Sequence, residues 1–212
     1  MSHHTHGHTI HWAWAYDAVI QVMSLGREGR FRRRTLELAE LQPGARVLDV
    51  GCGTGSLAIA AARQQPTATI HGIDPAPEMI ARAQAKATTA GVAPRFEAGI
   101  IEHLPYDDGS MDVVTSSIMM HHLPPETLSA GLAEILRVLT PGGRLVVVDF
   151  AGAGPLMHRL GALLRGESGH PTRHLDVVRD AVAKQGFTEP MLHPMKPGYL
   201  FGLVAQKPGA DI

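Results

Sequence analysis

Two spacings of apolar residues alternate along this chain. Apolar stretches at 47–50, 69–73, 111–116 and 144–150 are bounded by glycine, proline or aspartate and read as strands. The last, Arg144-Leu145-Val146-Val147-Val148-Asp149-Phe150, is continuous enough to be buried on both faces, as in a parallel sheet. Between the strands, apolar positions recur at helical spacing. Helices are predicted over 57–65, before Pro66; over 77–90, closed by Gly91; after Pro124-Pro125; and over 175–185, ended by Gly186. The helix after Pro125 should bury Leu128, Leu132, Ile135, Leu136 and Leu139. Phe31, Thr35, Leu38 and Leu41 mark an earlier helix that stops at Pro43-Gly44. Phe96-Glu97-Ala98 is a short third strand, and 188–192 and 199–206 are two closing strands. This alternation predicts a doubly wound α/β sheet with helices on both faces.

Composition narrows the picture. Hydrophobic residues make up 44% of the 212 positions and charged residues 18%, as in a globular domain. A net charge of -1 points away from nucleic acid. The single cysteine, Cys52, excludes an internal disulfide and a cysteine-built zinc site. No apolar run has the length of a membrane span, and the polar start carries no signal-peptide core, so a cytoplasmic protein is expected. His3, His4, His6, His8 and His11 have metal-binding chemistry, but residues 1–11 read as a disordered tail and no metal site is expected. Residues 12–212 then form one domain, with lid helices over 12–42 and a glycine-rich insert with an apolar island over 151–172. Trp12 and Trp14 are either hydrophobic anchors or part of a lid over a ligand. Arg27, Arg30, Arg32, Arg33 and Arg34 read as a solvated helix face, with peripheral contact to anionic lipid as the other reading.

The chemistry begins where the first strand ends. In Val47-Leu48-Asp49-Val50-Gly51-Cys52-Gly53-Thr54-Gly55, glycines at alternate positions separate a strand from a helix start. Such a turn lets a ligand approach the backbone, and the helix N-terminus offers unpaired N–H groups. The spacing departs from the dinucleotide fingerprint, because the third glycine comes one place early and Ser56 fills the expected position. Asp49, two residues before Gly51, suits a cationic ligand better than a pyrophosphate. Asp74 closes the second strand, 23 residues past Gly51, where a carboxylate can accept ribose hydroxyls.

This stretch resembles the first motif of the class I S-adenosylmethionine-dependent methyltransferases throughout. The Leu104-Pro105-Tyr106 and Asp108-Gly109-Ser110-Met111-Asp112 patterns, and the Thr140-Pro141-Gly142-Gly143 turn into the strand at 144–150, match further motifs of that superfamily. Tyr16-Asp17, Ser24-Leu25-Gly26 and Arg30-Phe31-Arg32-Arg33 are similar to the start of the ubiquinone/menaquinone-biosynthesis C-methyltransferases. The resemblance covers about residues 12–206. It implies a mostly parallel seven-stranded sheet with an antiparallel last strand. It also implies S-adenosylmethionine as cofactor, held by Asp49, Gly51, Cys52, Gly53, Gly55, Asp74, Pro75, Met79, Ile100, Ile101, Ser117 and Tyr16. Ile100 stands where the family usually carries the aspartate that meets the adenine amino group.

In that family, the loop Ser117-Ile118-Met119-Met120-His121-His122-Leu123 lies beside the methyl-donor end of the cofactor. Trp12, Trp14, Met119, Met120 and the segment 156–164 are expected to wall a pocket for a small, mainly apolar acceptor such as a quinol or phenol. His121 or His122 can serve as a general base; the other reading has one imidazole bonded to backbone and the other in solvent. A monomer or homodimer is expected. Two rival functions are a nicotinamide-dependent oxidoreductase and an inactive S-adenosylmethionine-binding regulator or subunit.

Overall fold

A computed structural model describes residues 28–150, 174–195 and 200–209. The histidine-rich tail, Trp12, Trp14, Tyr16 and residues 151–172 lie outside the described residues. Helix α1 (Glu28–Ala39) leads to β1 (Arg46–Val50), α2 (Ser56–Gln64), β2 (Thr69–Asp74), α3 (Pro77–Ala90) and β3 (Arg95–Ala98). Then follow β4 (Met111–Ser117), a 3-10 turn (Met120–His122), α4 (Pro125–Val138), β5 (Leu139–Phe150), α5 (His174–Lys184), β6 (Met191–Pro194) and β7 (Leu200–Gln206). One sheet holds the strands in the order β3-β2-β1-β4-β5-β7-β6. The pairs among β1 to β5 are parallel, and β7 runs antiparallel to both neighbours.

Alternation within the strands explains the two layers of helices. Leu48, Val114, Leu145 and Val147 join Leu132 and Ile135 of α4 and Val178 and Val182 of α5 in one core. Their neighbours Val47, Val113 and Val146 join Leu36 of α1, Leu57 of α2 and Ala83 of α3 in the other. A continuous apolar strand is thus the signature of a sheet covered on both faces.

Three boundaries differ from expectation. α4 ends at Val138, and Leu139, fully buried, opens β5 by pairing with Met111. β5 therefore takes in the turn at 140–143, and its register shifts between Met111 and Val113. β6 begins at Met191 rather than at 188. Pro190 has no N–H to give to the ladder, although Thr188 still exchanges bonds with Gln206.

Consecutive strands run outward from β1 to β3, and the chain then returns to place β4 on the other side of β1. Ligands of open α/β sheets bind at the strand C-termini where the order reverses in this way. The glycine turn after β1 and the loop after β4 flank that point. Gly131 of α4 keeps the nearby loop close: a Cβ there would lie 2.6 Å from Ile101 Cγ1. Gly→Ala inside a helix ordinarily stabilises by about 0.5–1 kcal/mol. Here Gly131→Ala is expected to destabilise by about 1–3 kcal/mol through overpacking. Adding Ile101→Ala should recover part of that loss, read as non-additivity in thermal unfolding.

Candidate functional site

The turn after β1 is built on left-handed backbone. Gly51, Gly53 and Gly55 have φ of 70°, 52° and 74°, a conformation that costs little only at glycine. Gly51 and Cys52 both donate their N–H to the Ile73 carbonyl, which ties the turn to the end of β2. A Cβ on Gly51 would meet Met119 Cγ at 2.4 Å, so the loop after β4 closes directly over the turn. A Cβ on Gly55 would strike Phe96 and Ala83 within 2.6–2.9 Å, so that glycine serves the packing of α2 against α3 and β3. The Lys86 ammonium on α3 donates to Thr54 Oγ1 at 2.8 Å and Ser56 Oγ at 2.7 Å, bracing the far side.

Two carboxylates line the base of the turn. Asp49 is 3% exposed and accepts a hydrogen bond from Thr115 Oγ1 at 2.8 Å. Burial pushes its carboxyl up to about 7; the Thr115 bond opposes this and the Asp74 charge adds to it. Asp74 accepts the Gly53 N–H on Oδ2 at 2.9 Å and the Ala76 N–H on Oδ1 at 3.0 Å. Burial raises its pKa too, against those two backbone bonds. Two desolvated acids beside strand and helix ends form a cradle suited to a cationic, hydroxyl-bearing ligand. That is the chemistry of S-adenosylmethionine, with its sulfonium, ammonium and ribose.

The loop after β4 is strained and stitched. Ile118 has φ of 54°, a left-handed conformation for a β-branched side chain that costs on the order of 1–3 kcal/mol. Its N–H donates to the Val148 carbonyl at 2.7 Å, and its side chain packs beside Phe31, Val148, Met195 and Leu200. Next comes a carboxylate–imidazole pair. His121 Nδ1 lies 2.7 Å from Asp149 Oδ1, and the His121 N–H donates to Asp149 Oδ2 at 3.0 Å. Asp149 is 1% exposed and also accepts the Phe150 N–H. From α5, His174 Nε2 donates to the His121 carbonyl at 2.8 Å. His122 is exposed, and its ring lies 3.8 Å from that of His121.

The remaining sequence candidates divide by surroundings. Ile100 is 37% exposed, whereas Ile101 is buried against α4. Met79 is buried with Ala76, and Pro75 is exposed. The Cys52 side chain lies in the core beside Gly72, and burial raises its thiol pKa, so only its backbone faces the turn chemistry. Ser117 pairs through its backbone with Val148. Met119 and Met120 part company: Met119 covers Gly51, while Met120 is 1% exposed inside the main core. Asp112 pairs with Arg46 at 2.7 Å across the starts of β4 and β1, a structural role. Sequence reasoning missed Asp149, His174, Thr115 and Lys86. Asp149 had a signal, a carboxylate closing an apolar strand as in Asp49 and Asp74. His174 had none, because it meets His121 only through tertiary structure.

The chain is similar in sequence and fold to known methyltransferases. Residues 47–143 match the methyltransferase domain family. The chain is 36% identical to the demethylmenaquinone methyltransferase of Thermus thermophilus over 167 residues, 73% of this chain and 75% of that protein. It is 37% identical to the protein of the same name from Deinococcus radiodurans, over 73% of this chain and 68% of that one. An S-adenosylmethionine-dependent methyltransferase from Methanosarcina mazei shares the fold at 22% identity, with a TM-score of 0.64 over 80% of this chain and 95% of that one. The fold and the glycine turn define a class I methyltransferase. The chain belongs to the S-adenosylmethionine-dependent methyltransferases and is an enzyme of that family. This assignment sets aside the nicotinamide reading. Among the described residues no helix is long and apolar enough to cross a membrane, and no cluster of three or more ligating side chains could hold a metal ion.

Asp49 gives a test that needs no ligand. An acid whose folded pKa is raised keeps a proton that the unfolded chain has already lost. Stability is therefore full below about pH 4 and falls as pH rises to about 7. Asp49→Asn removes that loss. The variant should gain about 2–4 kcal/mol over the wild type at pH 8 and little at pH 4, read from denaturant unfolding at both pH values.

Proposed function

We propose that this enzyme methylates a compact, mainly apolar acceptor with a removable proton, a quinol or phenol above all. The observation that carries the reading is the juxtaposition of Met119, seated over Gly51, with the Asp149–His121 pair two residues on. An apolar side chain and an oriented imidazole then share one loop at the mouth of the glycine turn. Two relatives named as demethylmenaquinone methyltransferases support the same acceptor class.

The residues present suit the cofactor. Gly51 and Gly53 leave room for close approach, Asp49 offers a buried counter-charge, and Asp74 retains acceptor capacity for ribose hydroxyls beside its two backbone bonds. Ile100 supplies apolar contact at the adenine edge, where Ile101 backs it. When bound, S-adenosylmethionine supplies a methyl carbon on a sulfonium, and the bond pair leaves with sulfur. The chain's own work is alignment of the nucleophile, exclusion of water and removal of the acceptor's proton. On α1, Glu37 pairs with Arg33 and Arg34, which supports a solvated face for that part of the basic run.

Screening quinols, phenols and amines for uptake of labelled methyl tests the acceptor. Transfer to a quinol or phenol is expected, and transfer only to highly charged acceptors would overturn the reading. Asp74→Ala should weaken cofactor binding by about 1.5–3 kcal/mol in calorimetry, the scale of hydrogen bonds to a charged group. In the wild type, affinity for the cationic cofactor should fall as pH drops below about 7, as Asp49 takes up its proton. The Asp49→Asn variant should lack that dependence.

A further inference from the structure

We propose that Asp149 is a positioning residue that locks one tautomer of His121, so that Nε2 of this imidazole, and not His122, takes the acceptor's proton. The chemistry rests on the acceptor reading above, while the choice between the two histidines rests on geometry.

Asp149 sits one residue before the end of β5 and is 1% exposed. Two backbone N–H groups, those of His121 and Phe150, donate to its oxygens at 3.0 and 2.8 Å. The third contact is His121 Nδ1, at 2.7 Å. A carboxylate that only accepts requires a donor at that ring atom, so Nδ1 carries the hydrogen and Nε2 keeps its lone pair. The ring has little freedom to turn away. Phe150 meets it edge-on at 5.0 Å and 81°, and His122 lies against it at 3.8 Å. The backbone is held as well, because the His121 carbonyl accepts from His174 Nε2. A carbonyl cannot donate, so His174 also has a defined tautomer, with hydrogen on Nε2.

These contacts converge from both flanks of one stretch of sequence. Asp149 and Phe150 immediately precede residues 151–173, and His174 immediately follows them. All three meet His121. His122 is exposed by contrast, whereas the His121 ring is held against the buried Asp149. In the reaction, His121 Nε2 accepts the acceptor's proton, and the acceptor keeps the electron pair for its new bond to carbon. The imidazolium so formed stays paired with Asp149 through Nδ1–H until Nε2 returns the proton to water.

The test combines a spectrum with kinetics. In protein labelled with 15N-histidine, long-range proton–nitrogen NMR should give His121 as the Nδ1–H tautomer with Nε2 unprotonated. Asp149→Asn places an amide donor against Nδ1 and should move the hydrogen to Nε2. Turnover should fall about 10²–10⁴-fold, the usual worth of a general base, with cofactor affinity and acceptor KM little changed. Asp149→Glu should restore part of it. His121→Ala should remove the acid limb of the pH–rate profile, and His122→Ala should leave that limb in place. An Nε2–H tautomer in the wild type would overturn the proposal, as would full turnover in His121→Ala. It would equally fail if Asp149→Asn lost turnover only in step with melting temperature while His121 kept its Nδ1 hydrogen. Failure of the acceptor reading looks different. There the wild type would methylate no quinol or phenol, yet the Nδ1–H tautomer would still be seen, and the lock would stand supported.

Discussion

Three acids occupy the C-terminal ends of three strands in one sheet: Asp49 on β1, Asp74 on β2 and Asp149 on β5. Burying carboxylates is the costly constraint on which the rest of the site depends. Asp49 and Asp74 are met by hydroxyl and backbone donors, and Asp149 by an imidazole and two backbone N–H groups. Thr115 serves Asp49, Gly53 and Ala76 serve Asp74, and His121 with Phe150 serves Asp149. Those bonds cross from strand to strand or from strand to loop, so satisfying the acids also fixes where the loops lie. The apolar layers on both faces supply the stability that offsets this concentration of desolvated charge.

Strain accompanies that polar edge. Ile118 is held in left-handed backbone by the bond to Val148 and by packing beside Phe31 of α1. The loop could relax only by giving up both. Its position therefore depends on α1, far away in sequence, as well as on β5. The left-handed kink also lets consecutive residues diverge. Met119 goes to the glycine turn, Met120 into the core and His121 to Asp149.

Much of this was legible before any coordinates. The seven strands, their flanking helices and the glycine turn follow from apolar spacing and from breakers such as Pro66, Gly91 and Gly186. Asp49 and Asp74 were legible because each closes an apolar run next to a turn. Periodicity cannot say which side of the sheet a residue faces after a loop, and that is why Met119 and Met120 looked alike. It cannot pair His121 with Asp149, 28 residues away, or with His174, 53 away. Those partners meet because β4 and β5 lie side by side and α5 packs at their ends. Boundaries slipped where one residue's backbone chemistry overrode the pattern, as at Pro190.

The convergence of Asp149, Phe150 and His174 on His121 also has a mechanical consequence. One loop residue ties the end of β5 to the start of α5. A substitution that displaces the His121 backbone would therefore be transmitted to a strand and a helix at once, whereas one that alters only its ring would leave the bonds of the His121 N–H and carbonyl in place.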